Sequence, residues 1–330
     1  MRAIHAAMAA LLALAVVGCK VTTGTRATPL GVSVESTEAS EGTQVAMLDE
    51  GTGESTSPPT TVVHADYGTD LDMDAISDMV IHISTKIGPR PAGSKGLRRT
   101  ARWIRAELAD LDYDAEITEF TLPGEMTGMN VTAATPADGP RLVLAAHMDT
   151  VRDCPCANDD ASGIASMIEI LRLVKERGLD TEIPLQLVFL GAEEEIEGFE
   201  GHGYSAIKLM EQMPEAERAR MGAAIWLDKL GRGPDFLALV IEGTDNSASE
   251  MVLDALGDGE PKPEVKTVPR WSEEMAFEDA GIPTVWLEWA KDRHLHKSTD
   301  TWESIEWDHV AAAADATLKV ALAKAWVDAE

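Results

Sequence analysis

Apolar positions recur at helical spacing twice in the middle of the chain. Leu97, Ala101, Ile104, Leu108 and Leu111 follow one another at intervals of four and three, which predicts a helix opened by Ser94, a good N-cap. Ile164, Met167, Ile168, Leu171 and Val174 repeat the pattern and predict a second helix beginning after Asp159-Asp160. Around these lie short apolar runs at 142–146, 185–190, 223–227, 236–241 and 284–287, each of strand length. Strands alternating with helices predict an α/β fold, a single globular domain whose mixed, mostly parallel central sheet is sandwiched between helices. In such sheets chemistry collects at the strand ends.

The N-terminal pattern is different. Arg2 precedes an apolar run at 6–17 that has no polar face, so it does not read as a surface helix packed on a core; it is also too short to span a bilayer. Val16-Val17-Gly18-Cys19 resembles a bacterial lipoprotein signal, which implies cleavage after residue 18, acylation of Cys19, and export to the cell envelope. Lys20 favours the outer membrane. Residues 19–69 are rich in Thr, Ser, Gly and Glu, contain Pro58-Pro59 and show no sustained apolar period, which predicts a flexible acidic tether. From about residue 70 the alternating pattern runs to the C-terminus without a second linker, so residues 70–330 form one expected folded domain.

Composition adds exclusions. The chain has 330 residues, 45% apolar and 26% charged, which rules out a disordered or collagen-like protein. With 57 Asp plus Glu against 28 Lys plus Arg the formal charge is -29, and most of that excess belongs to residues 70–330. No Lys/Arg-rich stripe is expected, so nucleic acid is excluded as a partner, and a membrane enters only through a lipid on Cys19. Three cysteines cannot make a disulfide framework.

The residues that end the apolar runs carry the chemistry. The run at 142–146 stops at His147-Met148-Asp149, that at 185–190 at Gly191-Ala192-Glu193-Glu194-Glu195, and that at 223–227 at Asp228. The run at 284–287 leads through a loop to His294-Leu295-His296, and Asn158-Asp159-Asp160 sits at a helix start. Clustered carboxylates on a dry strand end need a counter-charge, and divalent cations supply it. Mixed imidazole and carboxylate ligands suit zinc, and two zinc ions need one bridging carboxylate plus about two terminal ligands each. His147, Asp159, Glu194, Asp228 and His296 make up that number. Asp149, two residues beyond His147, faces the same side of a continuing strand and suits an acceptor that fixes the imidazole tautomer. Asp300 could support His296 in the same way.

His147-Met148-Asp149, Asn158-Asp159-Asp160-Ala161-Ser162-Gly163, Gly191-Ala192-Glu193-Glu194, Trp226-Leu227-Asp228 and His296-Lys297-Ser298-Thr299-Asp300-Thr301 together resemble the five motifs of the dinuclear zinc aminopeptidases, metallopeptidase family twenty-eight. Gly88-Pro89-Arg90-Pro91-Ala92-Gly93-Ser94 and Asn130-Val131 extend the likeness, which covers about residues 75 to 325. It implies two Zn2+ ions per chain, Asp159 bridging them, and His147 and Glu194 on different ions with partners from Asp228 and His296. It also implies Glu193 as general base, a peptide substrate with a free N-terminus, and a cis bond between Asp159 and Asp160.

Other readings of the same residues stay open. Glu193 to Glu195 can be a solvated charge run, and Asp159-Asp160 a helix cap. Cys154 and Cys156 can be free thiols, a bridge or zinc ligands. Where family members carry Ser-Asp-His or Ser-Asp-Tyr, this chain has Ser272-Glu273-Glu274, and an ionised Glu274 cannot donate to an oxyanion. Glutaminyl cyclases, carboxypeptidases and non-catalytic binding modules resemble the same family, so these remain alternatives to an aminopeptidase.

Overall fold

The computed structural model describes residues 67–196, 203–270, 273–324 and 326. The expected leader (1–18), Cys19 and all but the last three residues of the expected tether lie outside them, as do Trp271 and Ser272. In chain order the elements are α1 (Met73–Ile81), α2 (Lys95–Asp110), β1 (Glu116–Leu122), β2 (Met126–Ala134), β3 (Arg141–His147), α3 (Ser162–Glu176), β4 (Leu185–Leu190) and α4 (Tyr204–Gln212). They continue with α5 (Glu215–Arg218), β5 (Met221–Leu227), β6 (Asp235–Ile241), α6 (Ser247–Leu256), β7 (Glu264–Val268), α7 (Glu274–Glu278), β8 (Thr284–Ala290) and α8 (Trp307–Ala323).

The strands form an eight-stranded sheet of order β1-β2-β4-β3-β5-β8-β6-β7. Its centre, β4-β3-β5-β8, is parallel throughout. β1 on β2, β2 on β4 and β6 on β8 are antiparallel, while β7 returns to a parallel pairing with β6. The expected α/β sheet between helices is therefore present, with antiparallel strands towards both sides.

Alternation along the strands divides the core. Leu142, Leu144 and Ala146 of β3 face a core shared with α1, α2, α3, α6 and α8, while Val143 and Ala145 face a second core with α4 and α7. Both faces of β3 are buried, so the strand reads as an unbroken apolar run rather than an alternating one. Ser94 caps α2 by accepting from the Leu97 N–H at 3.1 Å, and Leu97, Ala101, Ile104 and Leu108 are fully buried beneath it.

One expectation fails at α2. Lys95, Arg98, Arg99, Arg102 and Arg105 lie on the side opposite its buried stripe, so the chain does carry a basic stripe. It is hidden in the composition because the acids elsewhere outnumber it.

Candidate metal centre

Because β4, β3, β5 and β8 run parallel, their carboxyl ends share one edge of the sheet. His147 is the last residue of β3 and pairs with Leu190, the last of β4. Asp228 follows the end of β5, and its N–H donates to the Leu287 carbonyl of β8 at 3.2 Å. Asp159 lies in the turn Ala157–Ala161 just before α3, and the Asp159-Asp160 peptide bond is cis. Two glycines allow these elements to close up. A Cβ on Gly163 would stand 2.1 Å from the Leu227 carbonyl oxygen, and one on Gly191 would stand 2.3 Å from that of Met129. Any larger residue would push α3 away from β5, or the Glu193-bearing turn away from β2.

All five expected ligands converge. His147 Nε2 is 2.9 Å from Asp159 Oδ1 and 3.6 Å from Asp228 Oδ1. On the other side, His296 Nε2 is 3.3 Å from Asp159 Oδ2 and 3.2 Å from Glu194 Oε1. These are two triads, His147/Asp159/Asp228 and Asp159/Glu194/His296, each with its donor atoms within 4.8 Å of one another. Asp159 belongs to both and turns one oxygen to each.

The donor set fits divalent cations. Asp159 Oδ2, Glu194 Oε1 and Asp228 Oδ1 are buried and accept no hydrogen bond, one oxygen from each carboxylate of the set. Orphan carboxylate oxygens are costly unless a cation meets them. His147 is prepared in the complementary sense: its Nδ1 lies 3.1 Å from the Asp149 main-chain carbonyl, which can only accept, so Nδ1 carries a proton and Nε2 is the atom turned towards the carboxylates. Burial pushes Asp159 up, but the imidazoles of His147 and His296 beside its two oxygens hold it below the usual carboxylate range. Asp159 and Glu194 in turn push His296 up to about 10.

The surrounding residues explain how the ligands are held. Asp149 is fully buried, and its carboxylate accepts the Glu193 N–H at 3.0 Å and the Glu194 N–H at 3.1 Å. It therefore meets His147 through its carbonyl and fixes the Glu193-Glu194 turn through its side chain. Asp300, expected beside His296, instead accepts from the N–H groups of Asn158 at 2.9 Å and Asp159 at 3.1 Å; burial is the chief reason its carboxyl is raised to about 7. Asp160 accepts from the Gly163 N–H at 2.9 Å and so caps α3, which makes the helix cap and the ligand adjacent residues rather than rival readings. His294 lies outside the triads and meets Thr299. His82 stacks on Trp103 and His309 on Trp289, whereas His5, His64 and His202 lie outside the described residues.

Several residues with clear positions here were not singled out from the sequence for these contacts. Arg90, fully buried, donates to the carbonyls of Met148 at 2.7 Å, Pro155 at 2.9 Å and Cys156 at 3.0 Å, clamping the loop between His147 and Asp159. Desolvation lowers it only to about 10, so it stays a cation at neutral pH. Cys154 and Cys156 in that loop are joined in a buried disulfide, which removes them as thiolate ligands. Lys229 donates to Asp228 Oδ2, lies 3.0 Å from Glu288 Oε2 and sits 4.6 Å from the centre of the Trp286 ring. Glu273 and Glu274 are both buried, and Glu273 Oε1 accepts from Ser205 Oγ and from the Ala206 N–H. A local signal existed only for Arg90, a single arginine between two prolines; Lys229 and Glu273 depend on contacts distant in sequence.

A cavity of about 320 Å³ opens onto the triads. Glu193 stands on its wall with Asp159, Glu194, Asp228 and His296, while Val151, Glu195, Lys229, Trp286 and Leu295 line the remainder. Desolvation, reinforced by Glu194, Glu273 and Asp228 and opposed by His147, pushes the Glu193 carboxyl well above its ordinary range.

Residues 130–321 match the model of Peptidase family M28. The leupeptin-inactivating enzyme 1 of Streptomyces exfoliatus is 28% identical over 200 residues, covering 59% of this chain and 43% of that protein. An uncharacterized protein of Escherichia coli (strain K12) is 30% identical over 128 residues and is covered to 38%. The chain thus spans about two fifths of the length of these curated relatives. A zinc aminopeptidase from Bacillus subtilis shares the fold with a TM-score of 0.67 at 14% identity, over 78% of this chain and 96% of that one. A glutaminyl cyclase from an Acidobacteriales bacterium does so with a TM-score of 0.67 at 18% identity, over 77% and 94%. The matched stretch contains all five converging ligands and Glu193 and makes up more than half of the sequence: this chain belongs to Peptidase family M28.

Proposed function

We propose that this chain is a zinc-dependent aminopeptidase that holds two zinc ions and removes N-terminal residues from peptides. The observation that carries the reading is the division of Asp159, whose two oxygens face two separate imidazole-carboxylate pairs. His147, Asp159 and Asp228 would hold one ion, and Asp159, Glu194 and His296 the other. When bound, the ions supply positive charge that polarises a carbonyl and makes water easier to deprotonate.

The chain's own groups do the rest. Glu193 takes a proton from the attacking water at a carboxylate oxygen and returns it to the leaving amine. Asp149 keeps Glu193 in place through the main-chain N–H. Trp286 and Leu295 give the cavity an apolar side for a substrate side chain. Lys229 is the one lysine or arginine among the described lining residues, and Asp228 and Glu288 take up its charge. A substrate ammonium group therefore meets carboxylates, which favours a free N-terminus.

A peptide panel assayed with zinc restored tests this directly. Chelator-sensitive release of N-terminal residues is expected, and Glu193→Gln is expected to lose at least about 100-fold in kcat with metal content unchanged. Release of no residue from any peptide by the zinc-loaded protein would sink the reading. The second reading, cyclisation of N-terminal glutamine, is favoured by the glutaminyl cyclases that share the fold. Hydrolysis of peptides that carry no N-terminal glutamine decides against it. Export with an acyl anchor on Cys19 belongs to the same proposal, supported by the sequence around Val16-Val17-Gly18-Cys19. Labelling with a radioactive fatty acid that survives Cys19→Ser would refute it.

A further inference from the structure

We infer that the outward face of α2 is a docking surface for the anionic phosphate headgroups of a lipid bilayer. Between Asp78 and Glu107 the chain has seven cations and no acid, in a protein whose acids outnumber its bases 57 to 28. Five of the seven lie on α2. At 100° per residue Lys95, Arg98, Arg99, Arg102 and Arg105 fall within an arc of about 120°, opposite the buried stripe of Leu97, Ala101, Ile104 and Leu108. Lys95, Arg99, Arg102 and Arg105 are exposed and Arg98 is half-buried. Among the described residues no carboxylate pairs with Arg98, Arg102 or Arg105, although most other surface arginines and lysines of the fold have acidic partners.

This departs from the usual solvated helix, in which opposite charges alternate at four-residue spacing. The short side chains Ala106 and Ala109 share the outward face, with the exposed Asp110 at its C-terminal end, so the long arginine side chains stand clear of the helix. Arg102 and Arg105 also line a surface hollow of about 470 Å³, with Asp114 at its rim. The -29 charge of the chain does not prevent docking, because exposed charges more than about 8 Å away are largely screened at physiological salt. A bilayer suits the face better than a duplex, since a straight row of cations on one convex helix meets a plane of headgroups. The choice of a bilayer also draws on the proposed anchor at Cys19. Among the described residues no helix is long and apolar enough to cross a membrane.

The test uses the full-length chain produced without acylation, so that its outcome is independent of Cys19. Wild type and the Arg98→Gln/Arg102→Gln/Arg105→Gln variant are sedimented with vesicles of phosphatidylglycerol in phosphatidylcholine, or of phosphatidylcholine alone. The N-terminal apolar run contributes equally to both proteins. Wild type is expected to favour the anionic vesicles, the variant to lose about tenfold or more of that affinity, and high salt to erase the difference. Peptidase turnover is expected to be the same for both, which shows that the variant has folded. Equal binding of the two proteins, or binding to a DNA duplex without binding to vesicles, overturns the inference.

Discussion

The two oxygens of Asp228 meet different groups. Oδ2 accepts from Lys229, and Oδ1 lies 3.6 Å from His147 Nε2 with no hydrogen bond of its own. Lys229 thereby orients the carboxylate, leaving one oxygen for an ion and offsetting the other. Its own charge is stabilised by Asp228, by Glu288 at 3.0 Å and by the Trp286 ring. Lys229→Met keeps the packing against Trp286 but leaves the buried Asp228 and the half-buried Glu288 without their cation. Breaking a buried pair from one side costs about 3 kcal/mol. The metal-free variant is expected to unfold at lower denaturant by about that amount, and zinc is expected to recover part of the loss by meeting Asp228. Denaturant unfolding with and without zinc measures both. Neither the contact with Glu288 nor that with Trp286 is legible in Asp228-Lys229, because both partners arrive on β8, nearly sixty residues later.

At the level of elements, legibility followed burial. The strands at the centre of the sheet announce themselves as apolar runs because helices cover both faces, and the helix at α3 shows its stripe for the same reason. β1 and β7 are edge strands with mostly exposed or half-buried residues, and Glu116, Glu119, Glu264 and Lys266 break their apolar pattern. β2 pairs between β1 and β4 but its Thr and Gly residues hide it. The ligands were legible because each ends or follows a recognisable element; the joints between elements were not. Glu273 is such a joint. It precedes α7, and its carboxylate receives Ser205 and Ala206 from the start of α4, while Ser205 Oγ accepts the Ala192 N–H beside Glu193. Burial is the main cause that raises its carboxyl to about 8. The folded state thus binds a proton that the unfolded chain, near its ordinary 4.5, releases. Stability from this group is full below that lower value and is lost as pH rises towards about 8. Glu273→Gln keeps the acceptor oxygen and removes the ionisation. Its Tm is expected to exceed that of wild type by several degrees at pH 8 and to match it near pH 4.5, as thermal melts across that range would read.

For the molecule as a whole, the candidate centre joins five chain segments that the sheet alone does not hold together. The His296 loop and the turn before α3 meet through Asp300, and the ends of β3 and β4 meet through Asp149. The ligands contributed by these segments converge on Asp159, a buried residue whose carboxylate faces Glu194 across His296 and Asp228 across His147. Three buried acids in one place oppose folding unless positive charge accompanies them, and the two imidazoles supply only part of it. An ion that binds the folded chain and not the unfolded one stabilises it by about 2.7 kcal/mol when present at a hundredfold excess over its dissociation constant. In a domain of this size that corresponds to a Tm change of roughly 5 to 10 °C. Chelation is therefore expected to lower the Tm by about that amount, and added zinc to restore it. Asp159→Asn weakens both triads at once, so its melting temperature is expected to respond little to chelator or to zinc, whereas Asp228→Asn retains the response of the Glu194/His296 half. Differential scanning calorimetry of the three proteins, each with chelator and with zinc, separates these outcomes. An unchanged wild-type Tm on chelation would mean that the sheet holds the ligand segments in place without help from the ions.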